Sequence, residues 1–195
     1  MINQSEQSTM LMDEASEALA DALKVLPVPK GYSIKSAHRV KQNSTDTWLF
    51  RYEKASGDNN GLDGEHFSIV LEKKSRRILG FTWMDQSLSK GQLPSKGETL
   101  AVAKGFLDKV EPGRFDKLEN LWIDRHDEII TIKDKTGNKP VTISGMKYKC
   151  YRKDEDNYAW VIIGPSGQII TFEQGIVWKN GRVTEKWLHD NWRSF

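Results

Sequence analysis

Apolar residues recur at helical spacing in two stretches of this chain and at strand spacing in the segments that follow each of them. Ala15, Leu19, Ala22, Leu23 and Leu26 share one face of a helix predicted from Asp13 to Leu26, which Asp13 can cap. Pro27, Pro29 and Gly31 stop it. A second helix is predicted from Gly97 to Val110, with Ser95 and Glu98 at capping-box spacing and Leu100, Ala103, Phe106, Leu107 and Val110 on one face. Pro112 and Gly113 stop that one. The two faces superpose, Leu19 on Ala103, Leu23 on Leu107 and Leu26 on Val110.

The intervening segments alternate apolar and polar residues with the period of half-buried strands. Strands are predicted near Tyr32 to Val40, along Trp48, Phe50 and Tyr52, along Phe67, Ile69 and Leu71, and along Leu79, Phe81 and Trp83. The second half offers Leu121 to Ile123, a hairpin from Ile129 to Ile143 turning at Thr136-Gly137-Asn138, then Met146 to Arg152, Tyr158 to Ile163 and Ile169 to Trp178. The hairpin Ile69 to Phe81 overlays Val161 to Phe172 with a single gap. Helix faces, stops and hairpins repeating in one order predict an α+β chain of two tandem units, each one helix packed on an antiparallel sheet of three or more strands. The boundaries are a polar, frayed segment over 1–12, a first unit over 13–84, a linker over 85–96 rich in Ser, Lys and Gly, a second unit over 97–178, and a tail over 179–195. In that tail Asn180-Gly181 makes a turn, Thr184 caps a last helical turn, and Trp187, Leu188 and Trp192 pack on the second sheet.

Charge narrows the partners. The 29 Lys and Arg against 27 Asp and Glu give +2, without the basic excess of a nucleic-acid binder. The runs Lys73, Lys74, Arg76, Arg77 and Lys147, Lys149, Arg152, Lys153 read as a solvated turn and an outward strand face. The single cysteine, Cys150, excludes an intramolecular disulfide and any zinc site built from several cysteines. No stretch approaches the ~20 apolar residues of a membrane span. Met1 to Thr9 lacks the basic start and apolar core of a signal peptide.

Catalytic and metal patterns are weak. His38, His66, His126 and His189 are scattered, with no pair at ligand spacing. Ser87 and Lys90 have the Ser-x-x-Lys spacing of some acyl-transfer enzymes but fall in the linker. The loop from Asp58 to Glu65 is rich in oxygen donors without the order of a calcium loop, and Gly164-Pro165-Ser166-Gly167 is a hairpin turn, too short for a phosphate loop. No catalytic residue, metal ligand or cofactor is expected. The candidate binding residues are the aromatics Trp48, Phe50, Tyr52, Trp83, Tyr158, Trp160 and Trp178, more indole and phenol than one helix per sheet should need to fill its core.

The stretch Ala103-Lys104-Gly105-Phe106-Leu107 with its stop at Pro112, together with the closing hairpins Ile69 to Phe81 and Val161 to Phe172, resembles the PepSY-like domains, in the tandem form of YcdB/YcdC-type bacterial proteins. The resemblance implies a cell-envelope or extracytoplasmic protein that binds a protein or peptide, in particular by restraining or inhibiting a peptidase, with no catalytic residues. Two alternatives stand beside it: a small-molecule-binding cup or small enzyme with a pocket between helix and curved sheet, and a purely structural domain. A buried histidine or carboxylate at the bottom of one deep cavity favours the cup.

Overall fold

The computed structural model describes the backbone of residues 4–193 and the side chains of residues 11–193. Helix α1 (Gln4–Val25) leads into strands β1 (Tyr32–Gln42), β2 (Thr45–Lys54), β3 (His66–Glu72) and β4 (Ile78–Met84). Helix α2 (Lys96–Val110) leads into β5 (Leu118–Asp134), β6 (Gly137–Arg152), β7 (Asn157–Ile163) and β8 (Ile169–Ile176), and a short helix α3 (Asp190–Arg193) closes the described chain. The α1 helix begins at Gln4, ahead of the expected start at Asp13. The capping box forms on α2: Ser95 Oγ accepts from the Glu98 amide, and the Ser95 amide donates to Glu98 Oε2 at 2.7 Å.

The expectation of two units, each a helix on its own sheet, is overturned. All eight strands form one antiparallel sheet in the order β1-β2-β3-β4-β8-β7-β6-β5. The last strands of the two meanders pair with each other, Gly80 with Glu173, Phe81 with Phe172 and Thr82 with Thr171. The reason is visible in their burial. Strands β3, β4 and β8 are buried on both faces along most of their length, as central strands are, whereas a small two-layer unit would leave one of them as a solvated edge. A single core spans both halves, bringing Ala15, Leu19 and Ala22 of α1 and Ala103 and Leu107 of α2 onto Phe50, Ile69, Phe81, Val161 and Phe172. The rings of Phe67, Phe81, Phe106 and Phe172 run in series along it, tilted to one another and edge to face at Phe106–Phe172, with centroids 5.3 to 5.9 Å apart.

The opposite sheet face carries the other alternate residues, and two covers fold over it. The predicted short segments between Leu121 and Arg152 fuse into two long strands, β5 of 17 residues and β6 of 16. Their far end is an arm that crosses to the loop before β3: the Thr131 amide donates to Asp63 O at 2.7 Å, and the Lys133 amide to Asn59 Oδ1 at 2.7 Å. Ile130 and Ile143 of this arm pack with Met84, Trp160, Ile162 and Ile170 in a second apolar cluster. The second cover is the C-terminal tail, which packs across the first half rather than on strands of the second alone. Trp187 Nε1 donates to Lys41 O at 2.7 Å, the Asn43 amide donates to Glu185 Oε2 at 2.8 Å, and Leu188 packs on Leu49 and Val70. Thr184 caps no helix; its hydroxyl accepts from the Val177 amide and donates to Asn43 Oδ1. The expected free linker is packed as well. Asp85 caps a 3₁₀ turn over Gln86–Ser89, and that turn buries Leu88.

Candidate functional site

Alternation along β2, β3, β4 and β8 places Arg51, Glu53, His66, Ser68, Thr82, Thr171 and Glu173 on the face away from the helices, and all are buried there. A polar floor of this kind is stable only where its groups find partners. The partners are local and tight. His66 Nδ1 lies 2.8 Å from Ser68 Oγ, and the hydroxyls of Thr82 and Thr171 meet at 2.8 Å across the β4–β8 junction. Arg51 reaches Glu53 at 2.8 Å and binds both carboxylate oxygens of Asp190. Glu173 accepts from both terminal nitrogens of Arg182, at 2.7 and 3.2 Å, from Trp160 Nε1 at 3.1 Å, and lies 3.2 Å from His189 Nε2.

Between this floor and its covers lies a cavity of about 290 Å³. Its floor is His66, Thr82, Met84 and Thr171, and its walls are Asp127–Ile130 of the arm, Leu188–Asn191 of the tail, and the Asp63–Gly64 loop. His66 is 3% exposed. Burial, reinforced by the Arg51 guanidinium, pushes its imidazole down to about 3, so it is neutral at physiological pH. Its Nε2 stands 3.7 Å from Asp190 Oδ2, beyond hydrogen-bond reach. Burial alone would raise the Glu173 carboxyl, but His189 and Arg182 hold it down to about 2. Burial likewise opposes ionisation of Asp190 and Glu128. Arg51 and the Asp63 amide outweigh it at Asp190, and the hydrogen bond to His126, at 2.8 Å, outweighs it at Glu128. Both carboxyls therefore titrate below the usual range.

Ser68, His66 and Asp190 form a serine–histidine–aspartate sequence of contacts, yet the chemistry of a nucleophilic triad does not follow. Ser68 is 1% exposed and lines no part of the cavity, while both oxygens of Asp190 are engaged by Arg51. Among the described residues no group of three His, Cys, Asp or Glu side chains is placed to hold a metal ion.

The seven aromatics expected to mark a binding surface do not come together. Trp48, Phe50 and Tyr52 are buried beneath the helices, and Trp160 is buried on the opposite face, where Lys147 Nζ stands 4.0 Å from its ring centre. Tyr158 and the exposed Trp178 flank Lys149, at 5.3 and 4.8 Å from their ring centres. Trp83 lines a second concavity, a groove of about 650 Å³ on the helix side between Val25–Lys30, Phe67, Phe81 and Phe106. Some of the polar groups at that groove are paired, while Trp83 Nε1 is buried without a hydrogen-bond partner. Tyr32 donates to Asp85 at 2.6 Å, and Lys54 pairs with Glu65 at 2.6 Å. The cavity residues His66, Glu128, His189 and Asp190 were missed in the sequence because they lie in three separate segments; a signal that existed was polar residues at the inward positions of strands β2, β3 and β8.

No family model, curated protein or solved structure matches the chain, and nothing among those comparisons identifies a PepSY-like domain.

Proposed function

We propose that this protein binds a small polar molecule in the cup formed by the sheet face, the β5–β6 arm and the C-terminal tail. The observation that carries this reading is His66: a buried, neutral imidazole on the floor of a cavity open to solvent on one side, with one ring nitrogen held by Ser68 and the other outside hydrogen-bond reach of its nearest carboxylate. The cavity sits near the lower end of the size range of ligand sites, and its few convergent polar groups are set among Met84, Ile129, Ile130 and Leu188, the mixture such sites use. The helix-side groove is larger, and beside the paired Tyr32, Asp85 and Lys54 it is lined by Trp83, whose Nε1 is buried without a hydrogen-bond partner. The cup lies on the sheet face away from the helices, not between helix and curved sheet where the small-molecule alternative put its pocket. Crystals soaked in a library of small polar fragments test it. Density between Leu188 and Ile130, within reach of His66 Nε2, is the expected result; fragments bound elsewhere with the cup empty would reverse it.

A second reading has its own observation. Strand β5 ends the sheet, and Leu121, Trp122 and Ile129 on it are more than 40% exposed. A partner's extended segment added along this edge by backbone pairing is the form that protein or peptide binding would take. A peptidase partner and a cell-envelope setting rest on the resemblance alone.

A further inference from the structure

We propose that the ligand of the cup is a small organic ammonium ion, its charged head held by the acidic wall and its carbon chain by the apolar one. The inference rests on the cup being a ligand site. Four carboxylates, Asp63, Asp127, Glu128 and Asp190, line the cavity, and among the described residues no lysine or arginine does. Most of the cations behind it are committed elsewhere. Arg51 is held by Asp190 and Glu53, Arg182 by Glu173, Arg193 lies 4.0 Å from Asp190, and Lys147 stands over the Trp160 ring.

The carboxylates differ in what they have left to give. Asp190 is consumed by Arg51 and the Asp63 amide, and Asp127 is paired with Arg125 at 3.0 Å. Glu128 uses only Oε1, on His126, and the Asp63 side chain makes no hydrogen bond or ion pair among the described residues. Two acceptors are thus left on the cavity lining, one on the arm and one on the loop before β3 that the arm joins at Thr131. An ammonium group has three donors and no acceptor, so two carboxylates and one neutral acceptor satisfy it. The third is available on the floor from the Thr82 or Thr171 hydroxyl or the His66 ring. An anion would meet the same carboxylates with no cation on the lining to offset them, and its desolvation would go uncompensated. Met84, Ile129, Ile130 and Leu188 complete the lining and suit an alkyl or aryl body. At about 30 Å³ per water-sized group, the cavity takes roughly ten non-hydrogen atoms.

The test uses three probes of one size and different charge, butylammonium, 1-butanol and butyrate, titrated into the full chain while its amide, methyl and imidazole NMR signals are followed. Butylammonium is expected to move Thr82, Ile130, Leu188 and the His66 ring nitrogens, with the other two at least tenfold weaker. Glu128→Gln and Asp63→Asn should each weaken butylammonium about five- to tenfold. Asp63→Asn removes no internal partner, which keeps the test open if Glu128→Gln disturbs the arm. Butyrate or butanol binding at those signals as well as butylammonium overturns the ammonium assignment and leaves the cup as a ligand site. The absence of any shift at those residues with all three probes at millimolar concentration overturns the assignment, and the cup reading is then judged separately by the fragment soaks.

Discussion

Arg51 on β2 and Asp190 in α3 form a two-pronged ion pair inside the protein, Nη1 to Oδ1 at 2.7 Å and Nη2 to Oδ2 at 3.1 Å, with both side chains about 5% exposed. This pair fastens the C-terminal tail to the sheet and so fixes one wall of the cup. Removing Asp190 leaves the buried Arg51 with only Glu53 and the Gly61 carbonyl as partners, and breaking a buried pair costs about 3–5 kcal/mol. Asp190→Ala should therefore lower the unfolding free energy by about that amount in denaturant titrations. The double variant Arg51→Met/Asp190→Leu should not recover the loss, because it leaves the buried Glu53 carboxylate without its arginine.

The buried ionisable groups predict acid sensitivity with a definite sign. His66 titrates at about 3 against an ordinary 6.5, and Glu173 at about 2 against 4.5. Each is depressed in the fold, so the unfolded chain binds more protons, and the stability both confer is complete above pH 6.5. It drains as pH falls from 6.5 toward 3 through His66, and from 4.5 toward 2 through Glu173. The slope approaches roughly 1.4 kcal/mol per pH unit for each proton. Stability measured at pH 7, 5.5 and 4.5 should fall in the parent and fall less steeply, by up to one proton's worth, in His66→Gln.

Gly80 reports on the junction that makes the sheet continuous. A Cβ at this position would lie 2.7 Å from Phe172 O and 2.9 Å from Leu188 Cδ1, so backbone on one side and the tail on the other must give way. Gly80→Ala should destabilise by about 1–3 kcal/mol. Two weakly coupled units would let calorimetry resolve two transitions; a shared core predicts one, in parent and variant alike.

Cys150 is 1% exposed, and burial pushes its thiol up to about 12. Thiolate is the reactive form, so a thiol reagent should modify the native chain only through opening of the core, at a rate that climbs with denaturant. Rapid stoichiometric labelling in native buffer would contradict the packing of β6 beneath α2.

The aromatics expected to form a surface now separate by burial. Phe50 is fully enclosed, and Phe50→Ala should cost about 3–5 kcal/mol. Trp178 is 47% exposed, and Trp178→Ala should change stability by about 1 kcal/mol or less, the worth of an exposed contact with Lys149.

The sequence made local structure legible and left the long-range pairing hidden. Helix faces, the capping box at Ser95, the stops at Pro27 and Pro112 and the closing hairpins are written in spacing alone. The pairing of Phe81 with Phe172 is not, because nothing local distinguishes a strand that ends a small sheet from one that joins two meanders. The continuous apolar run Ile69-Val70-Leu71 was the available hint, since a half-buried strand alternates. The cup was less legible still. His66, Glu128, His189 and Asp190 converge only because β5 and β6 outrun the sheet and the tail crosses it, and scattered histidines gave no spacing to read. Of the candidate aromatics, Trp48, Phe50 and Tyr52 fill the core that the helices and strands share, and Trp160 fills the cluster on the opposite face.

The central claim is that the ligand site lies on the His66 face and not in the helix-side groove. Its most direct test is a pair of NMR signals in one titration of a polar fragment mixture: the ring nitrogens of His66 and the indole N–H of Trp83. Movement of the His66 signals with Trp83 unchanged is predicted; movement of Trp83 with His66 unchanged would contradict it.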